Sequence, residues 1–172
     1  MIEYKRLTGA DVQQHEDSLM ELLRDSVAHG ASVGFLPPLD EAINRRYWAK
    51  VARDVEAGER VLIIAQRDGQ VVGTAQLGLA MYPNGRHRAE VQKVLVHSTQ
   101  RRQGIGQALM VQIEQEARAL GRTLLVLDTL VDGGAEALYE RTGYMRLGVI
   151  PQFALHEGVL CGTVVYYKVL SS

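Results

Sequence analysis

The chain has 172 residues, 47% of them apolar, and a net charge of −1 from 19 Lys and Arg against 20 Asp and Glu. That length suits one domain able to bury roughly 70% of its unfolded surface, and the balanced charge excludes a bulk electrostatic pull toward nucleic acid or an anionic membrane. No apolar run approaches the ~20 residues of a membrane helix, and the opening "MIEYKRLTGADVQQ" lacks the apolar stretch of a signal peptide.

Thr8 and Asp11 resemble a capping box, and Leu19, Leu22, Leu23 and Val27 recur behind them at helical spacing. A first helix is predicted over 11–29. The paired prolines Pro37 and Pro38 make the next stretch a loop, since neither can continue a helix. A second helix opens near Asp40, carries Ile43, Tyr47, Val51 and Val55 four apart, and ends at Gly58. Then the period changes. "RVLIIAQRDGQVVGTAQLGLAM" reads as two strands joined at Asp68-Gly69, a strong hairpin signal. A third strand is predicted over 88–96. Its apolar phase shifts from Ala89 and Val91 to Val94 and Val96, as a bulge would cause, although burial on both faces gives the same pattern. Ile105, Leu109, Ile113 and Ala117 build the most regular helix, closed by Gly121. A strand over 124–127, a short helix over 134–142, and strands over 144–150 and 159–169 follow. Helices set between strands argue an α/β or α+β sheet, with parallel pairing around the central helix. No linker or repeat divides the chain.

"QRRQGIGQAL" places two arginines and two glycines at the mouth of that central helix. A helix N-terminus carries unpaired N–H groups and about half a positive charge. Gly104 and Gly106 lack side chains that would hold a ligand off, and Arg101 and Arg102 can meet phosphate oxygens in bidentate fashion. An isolated G-x-G is more often a plain turn, so the type of loop matters. A Walker loop requires Gly-Lys-Ser/Thr, but Gly106 is followed by Gln107-Ala108. A dinucleotide fold requires a third glycine where Leu109 stands, although Asp128 imitates its ribose-binding acid.

"RRQGIG" satisfies R/Q-x-x-G-x-G/A and resembles the pyrophosphate loop of the GNAT family of N-acetyltransferases. "AEALYERTGY" is similar to that family's A-x-x-L-Y-x-x-x-G-F/Y segment, and both lie in the required order behind the strand "VQKVLV". "RAEVQKVLVHSTQRRQGIGQALM", "LDT" and "GVLCGTVVYYKVL" look like the tabtoxin-resistance type. The resemblance implies a single domain over residues 1–172, with a mixed central sheet flanked by helices and acetyl-CoA as cosubstrate. It assigns cofactor contacts to Val94, Leu95 and Val96, to Arg101, Arg102, Gln103, Gly104, Ile105, Gly106 and Gln107, and to Tyr139. The family often has asparagine three residues before the motif alanine, but this chain has Asp132, read instead as a cap for the short helix.

Acetyl transfer to an amine needs a base, a donor for the developing oxyanion and an acid for the departing thiolate. The resemblance points to Glu90 as base, with Asp128 as a second carboxylate tied to catalysis or acceptor binding. It points to the Leu95 N–H as oxyanion donor and to Tyr139, reference pKa ~10, as acid. Without it, Glu90 and Asp128 read as solvated strand ends and Tyr139 as an amphipathic core residue. The acceptor implied is a small-molecule amine, including a toxin or antibiotic such as tabtoxinine-β-lactam. Two alternatives remain: a non-catalytic acyl-CoA-binding module, and a dinucleotide-binding oxidoreductase. The five histidines show no metal-ligand spacing, so no metal is expected. Cys161, the single cysteine, reads as a buried structural thiol and suits a reducing cytoplasm. Oligomeric state is open, a homodimer included.

Overall fold

The computed structural model describes residues 1–170. In chain order its elements are β1 (Glu3–Arg6), α1 (Gly9–Gln14), α2 (Glu16–Ala28), α3 (Glu41–Glu56), β2 (Arg60–Arg67), β3 (Gln70–Leu79), β4 (Arg88–Val96), α4 (Ile105–Ala119), β5 (Leu124–Leu130), α5 (Glu136–Arg141), β6 (Met145–His156) and β7 (Val159–Val169). The strands form one seven-stranded sheet in the order β1-β2-β3-β4-β5-β7-β6. Each neighbouring pair is antiparallel except β4 and β5. A parallel pair requires a long crossover, and α4 supplies it. The expected α/β architecture, with parallel pairing at the central helix, is the one observed.

Two cores lie on opposite faces of this sheet. Ile105, Leu109, Ile113 and Ala117 of α4 pack with Ala89, Val91, Leu125 and Leu127 on one side. Leu19, Leu22 and Leu23 of α2 and Trp48 and Val51 of α3 cover Leu62 and Ile64 on the other. The Asn44 side-chain amide donates to the Met20 carbonyl at 2.9 Å and fixes α3 against α2. The α2 and α4 stripes are buried as their spacing predicts, whereas the buried face of α3 runs through Asn44, Trp48, Val51 and Ala52 and leaves Ile43 exposed.

Three further expectations change. The first helix is two helices: His15, at φ −98° and ψ 9°, ends α1 and begins α2. The capping box itself is present, with Thr8 and Asp11 each bonding the other's backbone N–H. Strand β1 is additional; its sequence, EYKR, is polar and mostly exposed, so it shows no alternation to read. Cys161 is only half-buried, because it lies on β7 opposite Ala154 of the outermost strand rather than in either core. That same β6–β7 ladder presents Met145, Leu147, Phe153 and Leu160 to solvent.

The phase change on β4 is a bulge. Gln76 pairs with Gln92 but Thr74 pairs with Leu95, so three steps on β4 oppose two on β3. Lys93 takes up the extra length with φ +48°, and its carbonyl accepts from the Thr74 hydroxyl at 2.9 Å. Because side chains alternate along a strand, one inserted residue reverses their facing. Ala89 and Val91 thus join the α4 core, whereas Leu95 joins the α2–α3 core. Beside the bulge, β4 and β5 part company. Their pairing ends at Glu90 with Val126, while β4 runs on to Val96 and β5 to Leu130.

Candidate active site

The gap between β4 and β5 opens into a cleft of about 940 Å³, within the range of small-molecule sites. At one end stands the N-terminus of α4. Gly104 is its N-cap at φ +78°, in the left-handed region, and offers no side-chain cap. The first helical bond runs from the Ala108 N–H to the Gly104 carbonyl at 3.0 Å. The N–H groups of Ile105, Gly106 and Gln107 precede it, so the helix ladder does not use them. Nothing stands within 4 Å of a Cβ built on Gly104, whereas one on Gly106 would meet Leu138 Cδ2 at 3.3 Å. The first glycine keeps space open to a ligand and the second permits close packing of α4 on α5.

Arg101 and Arg102 are exposed and line the same end. Arg101 Nε donates to the Val96 carbonyl at 3.2 Å, holding the loop against the end of β4. Gln103 does not line the cleft: its side chain accepts from Arg67 at 3.1 Å and ties the loop to β2. Its side chain thus supports the loop from behind. A tie that sequence reading missed lies behind the loop. Buried Asp25 of α2 accepts from both the N–H and the hydroxyl of Ser98 at 2.7 Å. His29 Nδ1 stands 3.1 Å and His97 Nε2 3.7 Å from Asp25 Oδ1, the oxygen that also accepts from the Ser98 hydroxyl. Burial pushes this carboxyl up, but the Ser98 hydrogen bonds and the two histidines outweigh it and hold the pKa below the ordinary range.

Removing that anchor should be measurable. Hydrogen bonds to charged groups are worth about 1.5–3 kcal/mol each, so Asp25→Ala should lose about 3 kcal/mol of stability at pH 7 in urea titration. A carboxyl whose folded pKa is depressed stabilises above its unfolded value, ~3.9. The gap between wild type and variant should therefore close as the pH falls below ~4, and a gap unchanged down to pH 2 would contradict this role.

The sequence candidates for catalysis lie along the same cleft. Glu90, Asp128 and Tyr139 all line it. Glu90 is exposed and also borders a second cavity of about 400 Å³ beside Asp54 and Arg60, so it can be approached from two sides. Asp128 Oδ2 accepts from the Thr163 hydroxyl of β7 at 2.7 Å, which fixes the carboxylate. Tyr139 is 7% exposed and packs edge-on to Tyr144 at 6.1 Å. Its hydroxyl has no hydrogen-bond partner among the described residues, and burial, with the Asp128 charge, pushes its pKa up to about 12. The phenol therefore stays protonated at physiological pH.

The strand amides divide by direction. The His97 N–H bonds the Val72 carbonyl of β3 at 2.9 Å, and alternation puts the Leu95 N–H on that same side, opposite Thr74. The N–H groups facing the parted β5 are those of Val94 and Val96. Leu95 is thus displaced as amide donor by its neighbours, because the bulge fixes which amides face the gap. Asp132 is also reassigned. It is exposed at φ +57°, and α5 has no side-chain cap from it; instead Glu136 accepts from the Asp132 N–H at 2.9 Å. Among the described residues no group of three His, Cys, Asp or Glu could hold a metal ion, and no helix is long and apolar enough to cross a membrane.

A family model described as the acetyltransferase (GNAT) family matches residues 18–144. The chain belongs to that family. An uncharacterized N-acetyltransferase of Azospirillum brasilense is 33% identical over 112 residues, covering 64% of this chain and 65% of that protein. N-acetyltransferase 8 of Rattus norvegicus is 38% identical over 87 residues, 49% of this chain and 39% of its own. Across these acetyltransferase relatives the chain spans between 39% and 65% of their length. The solved ribosomal-protein-alanine N-acetyltransferase of Brucella melitensis is 26% identical with a TM-score of 0.78, over 98% of this chain and 99% of that one. A putative acetyltransferase of Salmonella typhimurium, solved with its cofactor acetyl-CoA, shares the acetyltransferase fold at 19% identity and a TM-score of 0.80, over 99% of this chain and 95% of its own.

Proposed function

We propose that this chain transfers an acetyl group from acetyl-CoA to the amine of a small molecule, with both substrates bound together. One observation carries the reading. The parting of β4 and β5 beyond Glu90 leads from the bare N-terminus of α4 to two carboxylates and a protonated phenol. The Salmonella neighbour with acetyl-CoA and the acetyltransferase family match over residues 18–144 support the same ligand.

Acetyl-CoA supplies an activated thioester. The chain's own groups do the rest. The N–H groups of Ile105, Gly106 and Gln107, with Arg101 and Arg102, are suited to a pyrophosphate. The Val94 and Val96 N–H groups offer donors to an extended ligand or to developing oxyanion charge. Glu90 takes the ammonium proton of the acceptor, directly or through water. Asp128 adds negative charge that draws the cation in. Tyr139 Oη delivers a proton to the departing sulfur. Holding both reactants in reach of one another contributes much of the remaining rate.

The test is ligand-induced stabilisation. A ligand binding only the folded state stabilises by about 2.7 kcal/mol at a hundred times its Kd, so millimolar acetyl-CoA should raise Tm by several degrees. Gly104→Val should largely abolish the rise, since a branched side chain enters the open space at φ +78°. NAD should produce no rise. A rise with NAD and none with acetyl-CoA would reverse the assignment toward dinucleotide chemistry.

A further inference from the structure

We propose that the acceptor carries a carboxylate beside its amine, and that Lys93 is the residue that binds it. This rests on the acetyl-transfer reading above. Lys93 is the extra residue of the β4 bulge, and it lines the cleft with Glu90 and Asp128. Its Nζ lies 5.7 Å from the centre of the Tyr47 ring and 4.0 Å from where a Cβ on Gly34 would stand. The ammonium is thus held between α3 and the loop after α2, in the wall of the site.

It also has no direct ion pair. Lys5, Lys50 and Lys168 each have a carboxylate within 3.4 Å. Lys93 has no hydrogen bond or ion pair among the described residues, although it is only half-exposed. Contact with a ring face leaves the three N–H donors of an ammonium unmet. Burial and the Arg60 charge lower its pKa; the facing charges of Glu90 and Asp128 favour the ammonium form without outweighing them. The guanidinium of Arg60 is already engaged by Asp54 at 3.2 Å, Gln76 at 2.7 Å and Gln92 at 2.8 Å. Lys93 therefore has donors to spare beside Glu90 and Asp128, and a half-buried charge without a direct ion pair is costly until an anion completes it.

A zwitterion fits both signs. Its ammonium is drawn to Glu90 and Asp128 and its carboxylate to Lys93, and two fixed points orient the amine. A neutral amine would leave Lys93 unmet. The experiment measures thiol release from acetyl-CoA with free L-amino acids, each paired with its amide. Wild type should favour the free acid in kcat/KM. Lys93→Met should raise KM for the acid by about 10- to 100-fold, the loss of a charged hydrogen bond, leaving kcat nearly constant and the amide unaffected. Lys93→Arg should restore most of the preference.

Equal preference for acid and amide in wild type would overturn the inference. So would an equal loss on both in Lys93→Met, which marks a structural or catalytic role. If no free amino acid is acetylated while acetyl-CoA still raises Tm, the carboxylate assignment fails and acetyl-CoA binding stands. Absence of any acetyl-CoA effect on Tm would bring down the underlying reading instead.

Discussion

Glu90→Gln is expected to lower turnover at pH 7 by about 10²–10⁴-fold, the usual worth of general-base assistance, or about 3–5 kcal/mol of barrier. The substitution keeps the size of the side chain and removes its basicity. Glu90 is exposed, so stability should change by no more than about 0.5 kcal/mol. It stands at the mouth of the β4–β5 gap rather than at the α4 N-terminus, so acetyl-CoA affinity should hold. Raising the pH should recover activity, because free amine becomes available without help from the enzyme. A pH–rate profile under saturating acetyl-CoA decides the matter. An acceptor-binding Glu90 would instead raise the acceptor KM with near-normal turnover at saturation. A variant with wild-type rates and the wild-type acidic limb removes Glu90 from the mechanism and leaves Asp128 as the better base.

Tyr139→Phe comes next in expected size, at about 10²-fold in turnover if protonation of the departing sulfur limits the rate. Here the surroundings make the test unusually clean. The hydroxyl has no hydrogen-bond partner among the described residues, so its loss breaks no bond in the folded state. Ring contacts with Tyr144 and Tyr166 survive in phenylalanine. Tm should therefore be unchanged or slightly raised, and acetyl-CoA affinity nearly constant. Because the phenol titrates near 12, wild type should show no alkaline loss from this group below ~pH 11. Unaltered turnover with chemistry shown to be rate-limiting would return Tyr139 to a packing role.

Local chemistry made much of this readable from sequence. Asp68-Gly69 gave its hairpin, Thr8 and Asp11 their capping box, and the α4 stripe its buried face, because each depends on residues a few positions apart. The β4 bulge was visible only as a change of phase that two causes explain equally; pairing with β3 was needed to choose. What stayed hidden depends on distant partners. Asp25 and Ser98 are 73 residues apart, and nothing near either one signals the other. Arg67 and Gln103, 36 apart, are the same case. β1 was missed because a charged, exposed edge strand has no apolar rhythm. Nothing local to Lys93 in VQKVLV signals that it lacks a direct counter-ion, since that too depends on distant residues.

The interrupted seam between β4 and β5 is a pair of strand edges enclosed within a sheet. Exposed edges ordinarily invite foreign strands, and proteins defend them with charge, proline or covering elements. Here the two edges face each other across a cleft, so they are shielded from other chains by their own sheet. Peptide-like groups on β4, such as the N–H of Val94 and Val96, are left wanting a partner in the direction of the gap. A ligand that is itself extended and amide-bearing can stand in for the strand that is missing, whereas a compact or purely hydrocarbon one cannot. The same irregularity that weakens the sheet locally therefore acts as a filter on what enters it.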